Sequence, residues 1–191
     1  MPELMEVAAQ QQQYLTFHLA GEEYAVGILK AKEILEYDTI TKVPQTPAWI
    51  KGVFNLRGSV VPVIDLRLKF GLGDTLISAT SCIVIIETSL GSGNTILGVL
   101  VDSVSQVIEV NPTDVEAAPS FGAQVRVDYL LGMIKMERKF ALILDIDKIL
   151  STEELFQVSE LELTVPAEHG GAVLQSAKRR RKNKQEKPSD E

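Results

Sequence analysis

Apolar residues in this chain come in short runs, and glycine, proline, asparagine or aspartate separates nearly every run from the next. That spacing restricts the chain to many short strands, because a half-buried strand shows period two and ends where a turn residue permits it. Tyr14-Leu15-Thr16-Phe17-His18-Leu19 puts Leu15, Phe17 and Leu19 on one face, and Gly21-Glu22-Glu23 turns the chain into Tyr24-Ala25-Val26-Gly27-Ile28. The pair reads as a β-hairpin. Lys30 to Leu35 carries helix-forming side chains over less than two turns and is expected to be a short helix. Pro44 and Pro47 punctuate a loop.

Further strands are expected at Gly52-Val53-Phe54-Asn55-Leu56 and at Val60-Val61-Pro62-Val63-Ile64-Asp65, joined by a turn at Arg57-Gly58. Pro62 lacks a backbone donor, which assigns the second of these to an edge or a bulge. Leu66 to Phe70 fits one helical turn closed by Gly71 and Gly73. Cys82 to Thr88, Asn94 to Val101 and Gln106 to Val110 are β-rich, the first two linked by Gly91-Ser92-Gly93-Asn94. After a loop with Pro112 and Pro119 come Leu130 to Met136 and Phe140 to Ile146, with a last helical turn at Asp147 to Leu150. The fold class is all-β with a few short helices.

An internal repeat sharpens this. Gly52 opens a strand, Arg57-Gly58 turns it and the return ends at Asp65; eighty residues on, Gly132 opens a strand, Arg138-Lys139 turns it and the return ends at Asp145. Likewise Gly27-Ile28-Leu29 stands ahead of Ile34 and Glu36 as Gly98-Val99-Leu100 stands ahead of Val107 and Glu109. The shared order predicts two similar small β units, each closed into a barrel that removes its edges.

Charge divides the chain unevenly. Residues 170–191 hold seven basic and three acidic side chains, net +4, whereas the other 12 basic and 23 acidic side chains leave the body at −11. Such a body repels nucleic acid, and only the tail could attract it or an anionic surface. The tail lacks apolar periodicity and is expected to be disordered from residue 170, after a polar lead over 1–13, a folded body over 14–155 and an extension over 156–169. The single Cys82 lies in an apolar run, which excludes a disulfide framework and points to a reducing compartment. No apolar stretch approaches the length of a membrane span and the first residues lack a secretory pattern, so a cytoplasmic protein is expected.

Residues suited to catalysis are scarce. A nucleophilic triad needs a base beside its nucleophile, and the two histidines are His18, in a strand, and His169, beside Gly170-Gly171. One cysteine and two distant histidines do not make a zinc site. Gly71-Leu72-Gly73 lacks the third glycine of a dinucleotide loop. Asp65 and Asp145 occupy repeated positions after strands, where an aspartate caps a helical turn. No cofactor and no metal are expected, and the chain reads as a non-enzyme. Trp49 is either a core plug or an interface anchor. Arg57 is either a solvated turn residue or a fork that grips a carboxylate.

The run Trp49-Ile50-Lys51-Gly52-Val53 with Asn55-Leu56-Arg57-Gly58 and Val60-Val61-Pro62-Val63-Ile64-Asp65-Leu66-Arg67 resembles the CheW family of chemotaxis coupling proteins. Gly21-Glu22-Glu23-Tyr24, Lys32-Glu33-Ile34, Gly98-Val99-Leu100-Val101-Asp102 and Asp147-Lys148-Ile149-Leu150 extend the resemblance over about residues 14–155. It implies two five-stranded, SH3-like β-barrels and a non-catalytic adaptor that couples transmembrane chemoreceptors to the histidine kinase CheA. The partners implied are the kinase's regulatory domain and the receptor's cytoplasmic coiled-coil tip, assembled into rings within arrays at the inner face of the membrane.

By the same resemblance Ala31, Glu33 and Gly52 face the kinase. Glu33 and Arg57 match positions where charge affects receptor coupling, and a pairing between them would make their role partly structural. Val60, Val104 and Val107 match apolar positions of a groove for a receptor helix, or are plain barrel core. Ala31 is smaller than the residue the family often carries there. The tail cluster Lys178, Arg179, Arg180, Arg181 and Lys182 lies outside the resemblance and reads either as a solvating segment or as an anion-binding one. An alternative function is therefore a small β-barrel that binds nucleic acid or membrane through this tail.

Overall fold

The computed structural model describes residues 11–90, 93–118 and 126–164. β1 (Gln12–Leu19) and β2 (Glu22–Gly27) form the first hairpin. Its turn residues Ala20 and Gly21 both have positive φ, 52° and 87°, the type I′ geometry that matches strand twist. Next come β3 (Ala31–Glu36), the hairpin of β4 (Ile50–Leu56) and β5 (Ser59–Asp65), and α1 (Leu66–Lys69). The second half repeats the plan with β6 (Cys82–Leu90), β7 (Gly93–Val101), β8 (Ser103–Val110), β9 (Val115–Glu116), β10 (Leu130–Lys135), β11 (Phe140–Leu144) and α2 (Ile146–Ile149). A longer helix, α3 (Thr152–Thr164), follows.

Three local expectations change. Lys30 to Leu35 is not a helix: β3 occupies it and pairs antiparallel with β6. Six residues cannot sustain a helix alone, whereas the edge of β6 supplies ready donors and acceptors, and Ala31, Glu33 and Leu35 turn half-buried in period two. β5 is not an edge strand but lies between β4 and β7. Pairing with β7 starts at Val63, one residue past Pro62, so the missing donor falls where only β4 flanks the strand. Asp65 does cap its helical turn, accepting from Leu68 N at 3.2 Å, but Asp145 makes no such bond and pairs with Lys148 at 3.0 Å. Gly91-Ser92 and Pro119 lie outside the described residues.

The strands form a six-stranded sheet, β8-β1-β2-β11-β10-β9, and a five-stranded sheet, β3-β6-β7-β5-β4. Neither ladder closes, which corrects the expectation of two five-stranded barrels. In the five-stranded sheet the gap between β3 and β4 is bridged at one point, where Thr41 and Val53 exchange backbone hydrogen bonds of 2.8 Å. In the other, β9 does the same work, pairing Val115 and Glu116 with β10 after a 3-10 turn that Pro112 opens. Each sheet thus curls without sealing.

The repeat is real but swapped between sheets. β1 and β2 join β8 to β11, whereas β3 to β5 join β6 and β7, so each sheet draws on both halves of the chain. Gly52 and Gly132 occupy matching sites: an added Cβ would meet Thr41 O at 2.1 Å in one and Glu116 O at 2.7 Å in the other. Both glycines let a neighbouring backbone close over the sheet.

Three apolar clusters follow from this arrangement. Val63, Ile83, Ile85 and Leu100 fill the curled five-stranded sheet, and Tyr14, Ala25, Val110, Ile134, Ala141 and Ile143 fill the six-stranded one. A larger cluster between the sheets includes Leu15, Phe17, Tyr24, Ile64, Val84, Val101 and, from α3, Val158 and Leu161. Strands buried on both faces need apolar side chains at consecutive positions, which accounts for the unbroken Ile83-Val84-Ile85-Ile86.

Two polar clamps cross between the sheets. At one, Asp102 accepts from Ala20 N at 2.7 Å and from Arg67 Nη1 at 3.4 Å. At the other, Asp147 accepts from Ser89 N at 2.8 Å, Thr88 Oγ1 at 2.9 Å and Lys30 Nζ at 2.7 Å. Burial alone would raise the Asp147 carboxyl, but these donors hold it below its usual value.

Candidate functional site

Three of the expected contact residues meet at the seam where the five-stranded sheet fails to close. Glu33 projects from β3 on one side, and Arg57 from the β4–β5 turn on the other; Arg57 Nη2 donates to Glu33 Oε1 at 2.7 Å. The turn is type I′, with φ of 53° at Arg57 and 94° at Gly58, and Asn55 Oδ1 braces it by accepting from Gly58 N at 2.7 Å. Arginine has no steric licence for a left-handed backbone, whereas glycine or asparagine takes it readily. Here a strained residue presents a guanidinium that stays 75% exposed while its partner carboxylate is 29% exposed.

Ala31 lies two residues from Glu33, across a register shift in β3, and packs partly buried on the inter-sheet cluster. Gly52 is buried at a register shift in β4, under the Thr41 carbonyl, so it shapes the seam through its backbone. The seam therefore unites Glu33, Gly52 and Arg57 across opposite edges of the ladder. Val60, across from Asn55 on β5, and Val104, on β8, both pack partly buried on the inter-sheet cluster. Val107 stands apart on the edge strand β8, half exposed and paired with Leu15. These valines do not line the clefts around Leu131, around Ile108 or around Val43.

Internal symmetry adds Ile34, which the repeat already aligns with Val107, to the exposed apolar positions. Ile34 pairs with Val84 on β6 where Val107 pairs with Leu15 on β1, and the two are comparably exposed. Exposed branched side chains thus stand on the matching edge strands β3 and β8, one in each sheet.

Trp49 is partly buried against the inter-sheet cluster, with Lys69 Nζ 4.7 Å above its ring. Lys69 also pairs with Glu154 of α3. Ser151 and Glu154 cap that helix reciprocally: Ser151 N donates to Glu154 Oε2 at 2.8 Å, and Glu154 N to Ser151 Oγ at 3.2 Å. The spacing Ser151-Thr152-Glu153-Glu154 is a capping-box signal that could have located α3 beforehand.

Among the described residues no group of three or more His, Cys, Asp or Glu is placed to hold a metal ion, and no helix is long and apolar enough to cross a membrane. His18 lies near Ser103 Oγ and Lys139 Nζ, each at 3.4 Å. Lys178, Arg179, Arg180, Arg181, Lys182 and His169 lie outside the described residues.

Two curled, open sheets around a shared core, with exposed edge strands, define an all-β module of the two-sheet kind. The CheW-like domain matches residues 13–154, and the chain belongs to the CheW family. It is 37% identical over 150 residues to the chemotaxis protein CheW of Klebsiella aerogenes, covering 78% of this chain and 88% of that one. It is 34% identical over 140 residues to CheW of Bacillus subtilis, covering 73% and 86%. The crystal structure of the scaffolding protein TtCheW from Thermoanaerobacter tengcongensis matches with a TM-score of 0.69 at 30% identity, over 81% of this chain and 99% of that one. The protein is a chemotaxis adaptor.

Proposed function

We propose that this adaptor links transmembrane chemoreceptors to the histidine kinase CheA without catalysing a reaction itself. The kinase's regulatory domain meets the face around Ala31, Glu33 and Gly52. The receptor's coiled-coil tip meets Glu33 and Arg57 with an apolar surface formed by Val60, Val104 and Val107. Repeated contacts of this kind build rings within arrays at the inner face of the membrane.

The observation that carries this reading is Arg57, held left-handed at the seam with most of its guanidinium in solvent. A backbone conformation that costs energy and leaves a planar cation exposed suits bidentate recognition of a partner carboxylate. A pull-down with a kinase regulatory domain and with a receptor hairpin fragment tests it. Retention of both is expected, and retention of neither sinks the reading.

A further inference from the structure

The two sheets differ at one end in a way that their symmetry exposes. Tyr14 to Leu19 of β1 and Ile83 to Thr88 of β6 follow the same order of burial, five buried positions interrupted by one half-buried, and both strands sit between an edge strand and a hairpin partner. Superposing these runs sets Gln12 on Ser81, so residues 2–11 correspond to residues 71–80.

In the five-stranded sheet, that preceding segment covers the end of the sheet. Thr75 donates to Asp65 through Oγ1 at 2.7 Å and through its amide at 3.2 Å, and Asp65 is wholly buried. Asp74 takes Lys51 Nζ at 2.9 Å. The counterparts of Asp65 and Lys51, eighty residues on, are Asp145 and Leu131. Among the described residues no segment covers them in the same way: Leu131 is 59% exposed, and with Leu29, at 87%, and Leu144 it walls a cleft of about 740 Å³. Gln11, the first described residue, stands at its rim.

We propose that this cleft is the docking site of the chain's own residues 1–10, with Met5 lying over Leu131. The register that places Asp74 on Lys51 places Met5 opposite Leu131, so an apolar pair replaces an ion pair. Leu4, Met5 and Val7 supply the apolar side chains that two large exposed leucines lack, and methionine adapts well to an irregular cleft. Ten residues reach roughly 33 Å when extended, ample to cross a cleft that begins at Gln11.

Methyl-labelled full-length protein tests the proposal by NMR. A cross-peak between the Met5 ε-methyl and the Leu131 δ-methyls is expected, unchanged on dilution and lost in Met5→Asp and in Leu131→Asp, the latter at a position exposed enough to leave folding intact. Deleting residues 1–10 should shift the Leu29 and Leu131 methyls, and adding that decapeptide should move them back. Absence of the cross-peak with unchanged leucine shifts on deletion overturns the proposal. A cross-peak that fades on dilution overturns it too, because a second copy then fills the cleft.

Discussion

Replacing Arg57 separates docking from folding. Its left-handed φ of 53° costs roughly 1 kcal/mol relative to a residue at ease there. The single ion pair with Glu33 returns little, because Arg57 is 75% exposed and pairs of that kind contribute about 0.2–1 kcal/mol. Arg57→Asn relieves the strain and loses the ion pair, so its stability should stay within about 1 kcal/mol of the parent, a change of at most about 3 °C in Tm. Arg57→Ala loses the ion pair and keeps the strain, and should melt about 3 °C below the asparagine variant. Thermal unfolding of the three proteins by circular dichroism, beside receptor-stimulated kinase activity in reconstituted arrays, reads both quantities. Activity should fall at least about tenfold in both variants, the equivalent of about 1.4 kcal/mol of lost interaction. An asparagine variant that melts more than about 6 °C low would refute the reasoning, since Arg57 would then be structural. Equal melting of the two variants would remove the strain from the account.

Gly52→Ala forces a Cβ to within 2.1 Å of a backbone oxygen at φ 142° and should cost about 3 kcal/mol or more, whereas Gly132→Ala, at 2.7 Å, should cost less; urea unfolding ranks them. Lys69→Met removes the charge shared by Trp49 and Glu154 and should loosen α3 by about 1 kcal/mol, seen as faster proteolysis within α3 and a changed emission of the single tryptophan. Burial, with the nearby Glu22 charge, pushes the Tyr24 hydroxyl up to about 12 from its ordinary 10.0. A group whose folded value is raised contributes stability below its unfolded value and loses it as pH rises through the folded one. Stability should therefore drop between about pH 10 and 12, and Tyr24→Phe should flatten that drop in a pH series of melting curves.

Much of the fold is legible along the chain because its signals are local. Period-two apolar runs and glycine-bearing turns identified the hairpins β1–β2 and β4–β5, and the motif around Arg57 pointed to the family. Lys30 to Leu35 misled because helix-forming side chains say nothing about a neighbouring strand edge, and β6 supplies one from fifty residues away. Pro62 misled for the same reason: where β7 begins to pair with β5 is a register, not a composition. The capping box of α3, Ser151 to Glu154, is likewise a local signal written in the sequence.

The sequence by itself determined the all-β class, the repeat, the family and the residue types at the seam, since each depends on the order of side chains along one strand or turn. Only the tertiary structure decided that the repeats exchange strands between two open sheets and that Glu33 meets Arg57 across the gap. It also decided that Gly52 acts through its backbone under Thr41. Those features arise from pairing between distant segments, and long-range pairing depends on which edges and faces come together once every strand is buried.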